Sequence, residues 1–216
     1  MDTPNWVQWH ERYDEPGSAL RHRLAVVRRR IAEAIDAMPA GPVTAISMCA
    51  GQGRDLLGVL ADHPRRADVR ARLVELDPDN AGIAQRTVRS LGLPDVQVVL
   101  GDASLSTAYA GYVPADLVLV CGVFGSLSDD DIRRAVRELP RLCVPGATVV
   151  WTRHRGDGDL TPTIREWFAG AGFTEVAFDT AGDLPFGVGT HRLTGPAPSY
   201  RPGMRLFDFG SASDGP

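Results

Sequence analysis

The sequence predicts an α/β protein in which helices cover both faces of a mostly parallel sheet. Short apolar, β-branched segments alternate with longer segments whose apolar residues have helical spacing, which is typical of a three-layer α/β sandwich. A strand over residues 43–48, a glycine-rich turn and a helix from about residue 54 form the first such unit. With 216 residues, the chain is long enough for one domain with a large buried core.

The first 40 residues are predicted to form two helices that pack on this domain as an N-terminal cap. Thr3 and Pro4 suit the N-cap and the first position of a short helix. Four residues fall on neighbouring turns of that helix: Trp6, Trp9, His10 and Tyr13. A break over residues 14–18 precedes a longer helix over residues 19–37, with Ser18 as its N-cap. Its arginine-rich face is interpreted as facing solvent.

Strands and helices alternate through residues 41–195, which we predict to be the main domain. The predicted helices cover residues 54–60, 78–91, 128–139 and 162–171. The predicted strands cover residues 43–48, 72–76, 96–100, 116–121, 148–153, 173–179 and 188–193. The last two strands are close enough in sequence to be antiparallel neighbours. Residues 196–216 are rich in Pro, Gly and Ser and are predicted to be a C-terminal tail.

Composition and charge restrict the possible functions. The net charge of −4 provides no electrostatic basis for binding nucleic acid or an anionic membrane. No apolar run reaches the roughly 20 residues that span a bilayer, and the first residues lack the pattern of a signal peptide. The three cysteines lack the spacing of a zinc site. We therefore expect a cytoplasmic protein with reduced thiols and no metal.

The chain contains no lysine, since all 23 of its basic residues are arginine. This absence excludes a P-loop lysine, Schiff-base chemistry and the Tyr-x-x-x-Lys centre of one class of dehydrogenases.

Glycines and polar residues are concentrated where the predicted strands end. The carboxyl ends of parallel strands lie at one edge of a sheet, and ligands of doubly wound sheets bind there. The segments at the carboxyl ends of five of the strands are residues 49–53, Glu75, Asp102, residues 121–124 and residues 153–154. The sequence therefore predicts one site built from these segments.

The first loop and Glu75 indicate a nucleoside site. Glycines let a ligand approach the N–H groups at a helix N-terminus, although an ordinary tight turn is the alternative. Glu75 ends an apolar strand, where such sheets hold a ribose. It binds ribose hydroxyls, or it pairs with an arginine such as Arg54 or Arg72. In the first case Glu75→Gln leaves the unliganded stability unchanged or raised, and in the second it lowers that stability.

Taken together, these segments resemble the class I S-adenosylmethionine-dependent methyltransferases over about residues 43–193. Residues 51–53 (Gly-Gln-Gly) are similar to the end of the family's glycine-rich first motif, and residues 74–78 (Val-Glu-Leu-Asp-Pro) to its second motif. Residues 101–103 (Gly-Asp-Ala) resemble the third motif, and residues 144–147 (Val-Pro-Gly-Ala) the loop before the fifth strand. Ser47 and Cys49 depart from the family pattern, which has an acidic residue and a glycine there.

The resemblance implies a Rossmann-like sheet of seven strands, the last one antiparallel, and S-adenosylmethionine as the cofactor. It implies that Glu75 takes both ribose hydroxyls and that Asp102 receives the adenine amino group. The residues implied to contact the cofactor are Cys49, Ala50, Gly51, Gly53, Glu75, Leu76, Asp102, Ala103, Cys121 and Gly122. Local alternatives are that Asp102 caps the turn after it and that Cys49 and Cys121 are small core residues.

The resemblance also implies methyl transfer, here to an acceptor that we expect to be a small molecule. A hydroxyl acceptor needs a general base and an amine can do without one, and His10 and His154 are the candidates. Trp9, Tyr13 and Phe124 are candidate acceptor contacts, with the N-terminal helix either closing over the pocket or packing on the core. His191 lies inside a strand, where we expect a structural role.

Two other functions remain open at this point. An NAD(P)-dependent oxidoreductase would use the same glycine turn and Glu75, but it lacks support from a Tyr-x-x-x-Lys pair. A non-catalytic S-adenosylmethionine-binding protein would fit the departures at Ser47 and Cys49.

Overall fold

The computed structural model describes residues 12–156, 158–182 and 184–209, which contain five α-helices and seven β-strands. The helices are α1 (Ala19–Ala37), α2 (Leu56–Leu60), α3 (Pro78–Leu91), α4 (Asp129–Glu138) and α5 (Thr161–Gly170). The strands are β1 (Val43–Met48), β2 (Val69–Glu75), β3 (Val96–Leu100), β4 (Ala115–Val120), β5 (Cys143–His154), β6 (Phe173–Asp179) and β7 (Phe186–Leu193). Within these ranges, no helix is long and apolar enough to cross a bilayer.

All seven strands form one sheet in the order β3-β2-β1-β4-β5-β7-β6. The strands from β1 to β5 pair in parallel, whereas β7 is antiparallel to both β5 and β6. The predicted fold, a mostly parallel sheet whose last strand is antiparallel, is therefore confirmed.

The side chains of the sheet alternate between two buried layers. In β4, Val118 and Val120 pack with residues of α4 and α5, whereas Leu117 and Leu119 pack with residues of α1, α2 and α3. All four side chains are at most 1% exposed. Burial on both faces explains why the strand is a continuous apolar run, and each such side chain stabilises the fold by about 1.5–3 kcal/mol.

Side-chain caps fix the helix starts that the sequence indicated. Ser18 accepts a hydrogen bond from the Arg21 N–H at α1, and Ser128 accepts one from the Asp131 N–H at α4. Asp77 caps α3, which ends at Gly92 in the left-handed conformation (φ 62°). These bonds satisfy donors that a helix end leaves free.

Arg65 caps the other end of α1. Its guanidinium donates to the carbonyls of Ile35 (2.6 Å), Met38 (2.9 Å), Pro39 (2.9 Å) and Gly41 (3.0 Å). The last carbonyls of a helix have no partner within the helix, so this side chain satisfies them and ties α1 to the chain before β2.

Several boundaries differ from the prediction because of pairing with neighbouring strands. Residues 144–147, which resemble a loop before the fifth strand, lie inside β5. Ala115 pairs with Cys143 and Leu117 with Thr148, so residues 144–147 bulge between the two pairs and the strand begins five residues early. At β7, pairing with β5 extends the strand back to Phe186.

The arginines of α1 do not simply face solvent, which corrects the sequence interpretation. Arg28 donates twice to the Arg54 carbonyl, at 2.8 and 2.6 Å, and Arg30 donates to both oxygens of Asp179, at 2.6 and 2.7 Å. The pairing of Arg30 with Asp179 joins α1 to the end of β6.

His191 has the structural role expected from its place in a strand. It is 1% exposed, and its ring stacks on Phe168 with centroids 4.4 Å apart. The indole N–H of Trp151 donates to its Nδ1 at 3.1 Å, so the ring accepts there in its neutral form. Burial lowers the pKa of His191 to about 4, against the opposing effect of Glu175.

Residues of the predicted C-terminal tail pack on the domain. Leu206 and Phe207 are 1% and 0% exposed and belong to the core beside α4 and α5. The boundaries of the predicted cap and main domain, at residues 40 and 195, stay predictions.

Candidate functional site

The candidate site lies at the carboxyl ends of the parallel strands, around the crevice between β1 and β4. The chain moves outward from β1 to β2 and β3, then returns to the other side of β1 at β4, so this crevice is the switch point of the sheet. Neighbouring strands are about 4.8 Å apart. The ends of β3, β2, β1, β4 and β5 therefore form an edge long enough for an extended ligand.

The loop after β1 turns sharply at three alternate residues, each of which has a positive φ. Cys49, Gly51 and Gly53 have φ values of 49°, 56° and 69°, and Cys49 is the one non-glycine residue with positive φ among the described residues. A Cβ atom at Gly53 would lie 2.7 Å from Leu57 and 2.9 Å from Leu73, so glycine lets α2 pack on β2. Cys49 occupies the left-handed conformation that a glycine would adopt without strain.

Glu75 links this loop to the end of β2. Its Oε2 accepts a hydrogen bond from the Gly51 N–H at 2.6 Å, and its Oε1 accepts one from the Asp77 N–H at 2.9 Å. The residue is 8% exposed. No ion pair joins Glu75 to Arg54 or Arg72 in the part of the chain that the structure describes. The arginine alternative is therefore wrong, and backbone amides hold the carboxylate instead.

Asp102 and two leucines form the β3 end of the site. Asp102 Oδ1 accepts from the Ser104 N–H at 2.8 Å, so the residue does cap the turn after it. Its side chain is 39% exposed and can still reach a ligand. Leu76, directly after β2, is 68% exposed, and Leu100, the last residue of β3, is 56% exposed. The two strands are neighbours in the sheet. An apolar surface beside a carboxylate oxygen that keeps acceptor capacity fits a heteroaromatic ring that carries an amino group.

Two polar residues that sequence analysis did not select brace the loops. Gln52 is 7% exposed, and its side-chain N–H donates to Asn80 in α3 at 3.1 Å while its oxygen accepts from Arg54. Thr152 in β5 accepts from the Gly122 N–H at 2.8 Å and so fixes the loop after β4. The sequence marks both residues as unusual for their positions. Gln52 is the one large residue in the glycine-rich turn, and Thr152 is polar within an apolar strand.

The two cysteines of the site are protonated at neutral pH. Burial, and then the nearby carboxylates of Glu75 and Asp102, raise the pKa of Cys49 to about 12. Burial also raises the pKa of Cys121 well above its ordinary value. Neither thiol has the thiolate character of a nucleophile. The hydrogen bond from Gly51 to Glu75 and the pairing of Glu75 with Leu100 place the ends of β1, β2 and β3 side by side.

Tyr13 lies beside Arg54, which lies between the loop after β1 and the start of α2. Its hydroxyl accepts from Arg23 at 2.8 Å, and the Arg54 guanidinium lies 5.7 Å from its ring centre. Burial raises the pKa of Tyr13, with Asp55 and Cys121 adding to the effect and Arg23 opposing it. Burial also raises the pKa of Asp55, the residue that caps α2. A phenol and a half-buried carboxyl thus lie near the start of α2.

The other candidate acceptor residues are placed unequally. His154 is exposed at the end of β5. Phe124 is fully buried, with its ring 5.8 Å from Trp151, so its placement favours packing over acceptor contact. Trp9 and His10 lie outside the described residues. Within those residues, no group of His, Cys, Asp and Glu side chains could hold a metal ion.

Comparison with protein-family models and with curated proteins gives no match to this sequence. Solved structures do match. The CurJ carbon methyltransferase aligns with a TM-score of 0.69 at 12% identity, over 88% of this chain and 59% of that one. This chain thus spans less than two thirds of that structure.

Two further structures have similar folds. Magnesium protoporphyrin IX methyltransferase (ChlM) from Synechocystis PCC 6803, with bound S-adenosylmethionine, aligns with a TM-score of 0.67 at 10% identity, over 88% of this chain and 91% of that one. The cyclase SpnF aligns with a TM-score of 0.57 at 17% identity, over 77% and 80% of the two chains. This chain therefore has the class I S-adenosylmethionine-dependent methyltransferase fold that its sequence motifs indicated.

Proposed function

We propose that this protein is an S-adenosylmethionine-dependent methyltransferase that acts on a small molecule. One observation carries the proposal: a buried carboxylate, Glu75, ends β2 and is oriented by the Gly51 N–H of the glycine-rich loop. A fold alone does not specify a reaction, and the cyclase among the similar structures illustrates this. The argument therefore rests on the site.

The hydrogen-bonding capacity of Glu75 matches a ribose. A carboxylate offers about four lone-pair positions, two on each oxygen. Gly51 and Asp77 use one position on each oxygen. One acceptor position remains on each oxygen, and a ribose offers two neighbouring hydroxyl donors. The two backbone amides hold the carboxylate in place before the ligand arrives, which reduces the ordering that binding requires.

The β3 end of the site fits an adenine. The exposed side chains of Leu76 and Leu100 provide apolar surface, and Asp102 Oδ2 keeps acceptor capacity for an amino group. Adenine and ribose recognition are thus one strand apart, at the ends of β3 and β2. The methionine end of the ligand would then extend towards Cys49 and the crevice with β4.

The chain's own residues have mainly positioning roles in this reaction. When bound, S-adenosylmethionine supplies an electrophilic methyl group on a sulfonium. The loops after β1 and β4 orient the partners, and alignment of this kind can contribute roughly 7–11 kcal/mol. A hydroxyl acceptor also has to lose a proton. Tyr13 and Asp55 lie near the start of α2, and His154 is the exposed candidate base at the end of β5.

Net charge, one similar structure and the state of the cysteines support the acceptor class and the compartment. The net charge of −4 does not favour nucleic acid, and the similar structure of magnesium protoporphyrin IX methyltransferase is named for a small-molecule acceptor. The three cysteines are free, which supports a reducing compartment such as the cytoplasm.

Two measurements test the proposal. Titration calorimetry compares S-adenosylhomocysteine with NAD, and tighter binding of NAD would contradict the site assignment. S-adenosylmethionine with a deuterated methyl group is then incubated with the protein and a library of small hydroxyl and amine compounds. Transfer of the label, read by mass spectrometry, supports a methyltransferase. Cofactor binding without transfer to any compound supports a binding protein or a non-methylating enzyme.

A further inference from the structure

The C-terminal segment, residues 204–208, runs along the loop that follows β3. Leu105 and Arg205 form an isolated antiparallel bridge. The Ser106 N–H donates to the Met204 carbonyl at 2.9 Å, and the Leu206 N–H donates to the Ser104 carbonyl at 2.8 Å. Residues 104–106, which closely follow Asp102, are therefore paired with residues 204–206.

Ser104 connects this segment to Asp102. It is 1% exposed, and all three of its polar groups are engaged. Its N–H donates to Asp102 Oδ1 at 2.8 Å, its carbonyl accepts from Leu206, and its hydroxyl accepts from the Arg205 guanidinium at 2.9 Å. A movement of residues 205–206 would therefore move the residue that orients Asp102.

Arg205 also faces Asp102 directly. Its Nη1 lies 3.6 Å from Asp102 Oδ2 and 3.1 Å from Asp208 Oδ1. The first distance is too long for a good hydrogen bond, so the guanidinium attracts the carboxylate without using its acceptor position. Asp102 Oδ2 thus stays available for a donor on a ligand while the cation resists rotation of the carboxylate towards solvent.

The segment is anchored on its far side. Asp131 Oδ1 in α4 accepts from the Asp208 N–H at 3.0 Å, and Arg134 pairs with both Asp131 and Asp208. The neighbouring side chains of Leu206 and Phe207 are buried. The backbone that carries Arg205 is therefore anchored to the domain on both sides of the residue.

We propose that Arg205 is a positioning residue that makes the cofactor site selective for an amino-substituted purine, by holding Asp102 in its acceptor orientation. This inference rests on the proposed function, because it takes the end of β3 as the adenine subsite. It assigns a binding role to a segment outside the strand–helix units that build the sheet.

The test compares two ligands on matched variants. S-adenosylhomocysteine carries the amino group, and S-inosylhomocysteine has a carbonyl oxygen in its place. Affinities for both are measured by calorimetry for the wild-type protein, Arg205→Ala and Arg201→Ala. The side chain of Arg201 makes no hydrogen bond or ion pair with the described residues, so this control removes the same charge from the same part of the chain.

The wild-type protein should prefer S-adenosylhomocysteine by about 10- to 150-fold, the range for one hydrogen bond to a charged group. Arg205→Ala should reduce that preference by about 2- to 5-fold, the range for a partly exposed ion pair, and Arg201→Ala should leave it unchanged. In an Asp102→Ala background, Arg205→Ala should no longer change the preference, because the residue it positions is absent.

The outcomes separate the inference from the proposed function. Equal weakening of both ligands by Arg205→Ala, or an increased preference, overturns the positioning role while leaving the cofactor assignment intact. Failure of S-adenosylhomocysteine to bind the wild-type protein removes both. If Arg205→Ala does not fold, Arg205→Lys is used. Lysine keeps the charge and lacks the planar guanidinium, so the preference for S-adenosylhomocysteine should fall by a smaller factor than in Arg205→Ala. An unchanged preference overturns the inference.

Discussion

Glu75→Gln is the most informative substitution, because the structure predicts its effects on stability and on binding separately. The side chain keeps its size, but one acceptor oxygen becomes an NH₂ donor. The carboxylate now accepts from the N–H groups of Gly51 and Asp77, at 2.6 and 2.9 Å. A glutamine amide can accept from one of them only, and its NH₂ group then faces the other N–H.

The loss of one hydrogen bond to a charged group sets the magnitude. Such a bond contributes about 1.5–3 kcal/mol, so the free energy of unfolding without ligand should fall by that amount. For a chain of this size, the melting temperature should fall by about 3–12 °C. The affinity for S-adenosylhomocysteine should fall by about 10- to 150-fold, because one ribose hydroxyl also loses its acceptor.

A ligand without ribose hydroxyls separates recognition from distortion. Calorimetry compares S-adenosylhomocysteine with its 2′,3′-dideoxy analogue on the wild-type protein and on Glu75→Gln. The wild-type protein should prefer the hydroxylated ligand, and the variant should lose most of that preference. Equal weakening of both ligands would refute the ribose role and leave Glu75 as a structural brace between β2 and the loop after β1.

Asp116→Asn provides the control for stability. Asp116 Oδ2 accepts from the Thr44 N–H at 2.8 Å, at the opposite end of the sheet. This substitution weakens the same kind of carboxylate–amide bond far from the site. It should lower the melting temperature while leaving the affinity for S-adenosylhomocysteine unchanged, and a loss of affinity there would show that any destabilisation weakens binding.

Three further predictions concern stability. Arg65→Ala removes the cap from the end of α1 and should lower the free energy of unfolding in urea by about 2–3 kcal/mol; an unchanged midpoint would show that water replaces the guanidinium. Because the pKa of His191 is lowered to about 4 in the folded protein, the unfolded chain binds more protons between pH 6.5 and 4. Stability should therefore be full above pH 6.5 and fall by up to about 3 kcal/mol towards pH 4, and His191→Gln should flatten this slope in denaturation series at several pH values. Cys49→Gly relieves a left-handed conformation (φ 49°) and should leave the melting temperature unchanged or raised, whereas Cys143→Gly, in a buried strand, should lower it; similar losses for both would contradict the strain argument.

The sequence by itself determined the fold class, since the information lies in local periodicity. β4 is apolar at every position but one, and only a strand covered on both faces needs that pattern. Ser18, Asp77 and Gly92 marked helix ends through short-range hydrogen bonds and backbone conformation, which act within a few residues. The order of strands and helices then restricted the topology to a mostly parallel sheet.

The sequence also identified the central part of the candidate site, because the carboxyl ends of parallel strands necessarily share one edge. Gly51 and Glu75 could be named from spacing alone, and they are joined by a hydrogen bond. What spacing could not show was the state of that carboxylate. From the sequence, a ribose role for Glu75 predicts that its replacement leaves stability unchanged or raised. The two hydrogen bonds from backbone amides lead us to predict a loss of stability instead.

Only the tertiary structure decided which distant segments support the site. Arg205 lies about 100 residues from Asp102 in the chain, and no periodicity relates them, so their approach depends on burial of Leu206 and Phe207 beside α4. The sequence likewise indicated that the arginines of α1 face solvent, whereas in the structure Arg28 bonds to the Arg54 carbonyl and Arg30 to Asp179. Local patterns encode secondary structure and the faces that are buried, whereas long-range pairing of polar side chains is set by the geometry with which those faces pack.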